Sequence, residues 1–67
     1  MNNINELKQQ CYDLGKSMPN KVPHETVMQM LAKVIVEKKI HDDDAFDMAS
    51  QAYAEGFNGL DLGVMSS

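Results

Sequence analysis

Apolar residues fall at Ile4, Leu7, Cys11, Leu14 and Met18, a spacing of three and four that places all five on one helical face. Asn3 followed by Glu6 has the form of a capping box, so the pattern predicts a first helix over roughly residues 4–16. Gly15 and then Ser17-Met18-Pro19-Asn20 supply its stop. A second apolar series, Val27, Met28, Met30, Leu31, Ala32, Val34, Ile35 and Val36, predicts a helix over roughly residues 21–40, with Pro23 in its first turn and Asn20 as its cap. Its apolar arc is so broad that the helix is expected at the centre, packed on two sides or pressed against another molecule.

The third helix is expected over roughly residues 44–58, capped by Asp43 or Asp44. It carries two ridges. Ala45, Ala49, Ala52 and Gly56 form a small one that lets another helix approach closely, and Phe46, Tyr53, Phe57 and Leu60 form a large one beside it. Tyr53 is expected in the core with its hydroxyl at the rim. Asn58-Gly59 reads as the stop, with Gly59 left-handed and Leu60 making the contact after it. The segment 60–67 is expected to be a frayed or extended tail. The fold class is therefore all-α: a single domain of three short helices joined by short loops.

Size sharpens this picture. At 67 residues the chain is near the lower limit for a self-sufficient core, and its one cysteine, Cys11, cannot form an internal disulfide. Very good helix packing or a second copy must do the stapling. No apolar run is long enough to span a membrane, and the first residues lack the basic and apolar regions of a signal peptide. A cytoplasmic, reducing setting is the expectation.

Charge is unevenly placed. Residues 1–41 hold all six lysines and four acids; residues 42–67 hold six acids and no base. There is no arginine, the usual reader of guanine edges and fork for phosphate. If helices two and three formed a helix-turn-helix, the recognition helix would present Asp43, Asp44, Asp47 and Glu55 to phosphate and be repelled. Direct nucleic-acid binding is not expected, though Lys33, Lys38, Lys39 and His41 leave a DNA-binding regulator as a third reading.

Little in the chain points to catalysis. His41 with Asp42, Asp43 and Asp44 gathers metal-ligating residue types, but Phe46 and Met48 stand where a calcium loop needs ligands and turn residues. Zinc would require Cys11, His24 and His41 to converge, whereas Cys11 lies on the apolar seam. No metal and no cofactor are expected. No serine sits in a nucleophile elbow and no glycine-rich turn cradles phosphate, so the chain is not expected to be an enzyme.

The residues point instead to a non-enzymatic protein–protein interaction module. Its expected acidic contact face is Asp42, Asp43, Asp44, Asp47 and Glu55, meeting a partner with a basic surface. Met30, Val36 and Met48 are the expected apolar part of the contact, since methionine adapts its shape to a partner. In size and acidity the chain is similar in style to the small inhibitors that phages and mobile elements direct at host nucleic-acid-processing proteins, such as anti-CRISPR and anti-restriction proteins. The alternative is a homo-oligomerising structural or regulatory subunit, a homodimer in the simplest case, whose surplus apolar face is covered by its own copy.

Overall fold

A computed structural model describes residues 3–18 and 20–64. Three helices account for its regular structure: α1 (Asn3–Ser17), α2 (His24–Glu37) and α3 (Ala45–Phe57). The all-α expectation holds, and among the described residues there is no strand. Among the described residues no helix is long and apolar enough to cross a membrane.

The seam of α1 is as the spacing predicts. Leu7 and Cys11 are buried, with Ile4, Leu14 and Met18 packed at the edge of the same cluster. Gly15 does not stop the helix, however. It lies within α1, buried, and the helix runs on to Ser17, whose hydroxyl donates to the Asp13 carbonyl at 2.8 Å. Pro19, the predicted stop, lies outside the described residues.

Gly15 has another use. A Cβ built there would overlap the carbonyl oxygen of Tyr53 in α3 and reach within 2.9 Å of the Phe57 nitrogen. Gly56 of α3 answers in kind, lying against the Tyr12 carbonyl of α1. Two missing side chains thus let two backbones touch. The small ridge of α3 completes the contact, with Ala45, Ala49 and Ala52 all buried. This corrects the expectation that helix two is central. The contact between α1 and α3 is by far the most extensive, and α2 lies beside the pair, contributing buried Leu31 and Val34. Met30, Val27 and Ile35 pack against the same cluster, so most of the broad apolar arc of α2 is covered within the chain.

The ends of α2 also differ from expectation. The helix starts at His24, with Pro23 as its N-cap residue and no side-chain cap; Asn20 lies outside it. The extended ψ of Pro23, 144°, keeps it out of the helix while its carbonyl accepts the first bonds, from Thr26 and Val27. At the other end Lys39 takes φ +54°, and the Lys39 and Ile40 amides bond back to the Val36 and Ile35 carbonyls, a Schellman closure three residues before the end the apolar pattern suggested. α3 ends the same way, here as predicted. Gly59 is left-handed at φ +72°, and the Gly59 and Leu60 amides reach Gly56 and Glu55.

At the start of α3, Asp44 holds the cap position but its side chain makes no capping bond. Asp42 does the local work instead: its Oδ1 accepts the Asp44 amide at 2.9 Å and its carbonyl accepts the Ala45 amide. The described part of the tail is not frayed. Tyr12 donates its hydroxyl to the Leu60 carbonyl and the Gly63 amide donates to Glu55 Oε1 at 3.0 Å, folding residues 60–64 back onto α1 and α3. Residues 65–67 lie outside the described region.

Candidate functional site

Four of the five predicted acidic residues form one surface. Asp42, Asp43 and Asp44 lie in the loop after α2, Asp47 lies in the first turn of α3, and all four are exposed. None of the four forms an ion pair among the described residues, and Asp42 alone is engaged locally. Their charge sits at the positive end of α3, which the helix dipole favours.

Glu55 does not belong with them. It is 1% exposed, on the buried side of α3 beside Ala52 and Gly56, and its carboxylate holds the Gly63 amide. The sequence groups it with the acidic face, but a charged residue can be buried where it has a partner. The partner here is backbone from the tail, which periodicity within α3 does not show.

The predicted apolar contacts are not brought together. Val36 is 74% exposed on the outer side of α2. Met30 is half-buried against the core. Met48 is half-buried and lines a small hollow of about 50 Å³ with Lys8, Gln51 and Leu62. Only Val36 is freely available to a partner.

Cys11 is fully buried in the core, and burial pushes its thiol up to about 11, with Lys38 pulling weakly the other way. A thiol so far from ionisation is a poor nucleophile and a poor ligand at neutral pH. Among the described residues no three His, Cys, Asp or Glu side chains converge as a metal site would need.

A feature that the sequence reading did not find lies at the other end of α2. A groove of about 230 Å³ opens between the start of α2 and the end of α3. Val22, Val27, Ala54 and Phe57 give it an apolar lining, and among the described residues Lys21 and His24 are its only bases. Because His24 and Val27 meet residues near the end of α3, the two helices run in opposite senses. The signal in the sequence was the large ridge of α3, Tyr53 and Phe57, which α2 covers only in part.

The chain matches no known protein family, no curated protein and no solved structure.

Proposed function

We propose that this chain is a non-enzymatic protein–protein interaction module that meets a basic partner surface through Asp42, Asp43, Asp44 and Asp47. The observation that carries the reading is the placement of those four carboxylates: exposed, close in sequence and free of ion pairs among the described residues, in the stretch 42–67 that holds no lysine or arginine. Such a strip steers a basic surface toward itself and rejects phosphate. The partner class is a host nucleic-acid-processing protein, whose basic groove the strip would occupy in place of its substrate, as a small phage-type inhibitor does. Val36, at the α2 end next to the acidic loop, supplies the apolar part of the contact.

Capture of partners from nuclease-treated host lysate tests this. The expected result is one stoichiometric protein with a basic groove, lost when Asp43→Lys and Asp47→Lys are combined while the helical circular dichroism signal is kept. Return of the bait alone would overturn it.

Self-association through α2 is the second reading, and the exposure of Val36 favours it. It expects a native mass of two or more chains that Val36→Glu reduces to one, with the charge reversals having no effect.

A further inference from the structure

The groove between α2 and α3 lies apart from the acidic strip and from the α1–α3 crossing. The Tyr53 and Phe57 rings, centroids 6.2 Å apart and only 7° from parallel, form one wall of it. Among the described residues its lining includes two bases, Lys21 and His24, and no acid, which inverts the sign of a chain with net charge −4. The first turn of α2 has no side-chain cap, and its one acid, Glu25, is not among the residues that line the groove.

Tyr53 supplies an independent observation. The residue is only 8% exposed, yet its hydroxyl makes no hydrogen bond among the described residues, and its oxygen is not sealed from solvent. A phenol this deeply set ordinarily finds an acceptor. Because its oxygen reaches solvent, the hydroxyl is open to donate to a group from outside the described residues, and Tyr53 is among the residues that line the groove.

The geometry points to a binding site for a small organic carboxylate, its apolar body against the Tyr53–Phe57 wall and its carboxylate toward the Tyr53 hydroxyl, Lys21 and His24. At about 230 Å³ the groove is smaller than the pockets that take drug-sized ligands, which begin at roughly 300 Å³. It suits an aromatic or branched aliphatic acid of about ten heavy atoms, for which binding in the millimolar range is the expected strength. This site is independent of the acidic strip and of the partner it would bind.

Phenylbutyrate titrated into the full isotopically labelled chain, followed amide by amide by NMR, tests the site, with phenylbutyramide as the neutral analogue. Saturable shifts confined to Val22, Val27, Ala54, Phe57 and their neighbours are expected, with the amide at least about tenfold weaker. Tyr53→Phe, which keeps the ring and the fold, should weaken the acid about tenfold, and Lys21→Met in the exposed loop about threefold. Equal binding of acid and amide, or no loss in Tyr53→Phe, would overturn the assignment. So would groove amides that respond to protein concentration and not to the acid, since the groove would then hold a second copy.

Discussion

Gly15 and Gly56 are each set against the other helix's backbone: Gly15 faces the Tyr53 carbonyl and Gly56 faces the Tyr12 carbonyl. Helix propensity alone would make both positions better as alanine, by about 1 kcal/mol each. The contact reverses that sign. Gly15→Ala and Gly56→Ala should each destabilise by about 2 to 3 kcal/mol, because the neighbouring atoms are backbone and cannot swing away. Urea unfolding measures it, and a gain in stability from either change would mean that the two helices do not touch as described.

The two Schellman closures differ in one residue, and that difference is testable. Gly59 takes its positive φ without strain, whereas Lys39 adopts φ +54° with a Cβ in place. Lys39→Gly should therefore stabilise by about 0.5 to 1 kcal/mol, and Gly59→Ala should cost about 1 kcal/mol. Thermal melts of the two variants should move in opposite directions.

Glu55 is predicted to act as a tether. Replacing it with alanine removes the acceptor of the Gly63 amide and leaves a hole beside Ala52 and Gly56, at a cost of about 1 to 3 kcal/mol. Glu55→Gln keeps the acceptor oxygen and should cost less. Faster hydrogen exchange at Gly63 in the alanine variant, with little change in the middle of α1, is the signature to look for.

Cys11 gives a pH dependence of known sign. Its thiol is held near 11 in the folded chain by burial, against 9.0 ordinarily. The folded state thus keeps a proton that the unfolded state releases first. The stabilisation is fully present below pH 9.0 and is lost as pH rises toward about 11, by about 2 to 3 kcal/mol in all. The difference between the parent chain and Cys11→Ala, measured across that range by denaturant titration, isolates it from lysine and tyrosine titration. Thiol reagents should label Cys11 only at the rate of unfolding.

Much of the fold was legible because it is written in local periodicity. The seam of α1, the small ridge of α3 and the Asn58-Gly59 stop each depend on residues within a few positions of one another. What could not be read that way depends on residues far apart in the chain. Gly15 looked like a terminator because glycine commonly ends helices; its use as a notch needs Tyr53 opposite. Glu55 looked solvated because its acceptor role depends on Gly63 folding back. The end of α2 is not marked in the sequence, because Lys39 turns left-handed without being glycine. Of the acidic face, the four aspartates in and just after the loop are together as expected, since proximity in sequence kept them so. The groove is not legible in the sequence because it is made by two helices, and neither shows it alone.

The acidic strip and the groove stand at opposite ends of α2, which at 14 residues separates them by about 20 Å. That is more than twice the screening length of about 8 Å at physiological ionic strength. Binding at one end is therefore electrostatically silent at the other. Each end can be altered, labelled or filled while the other keeps its affinity.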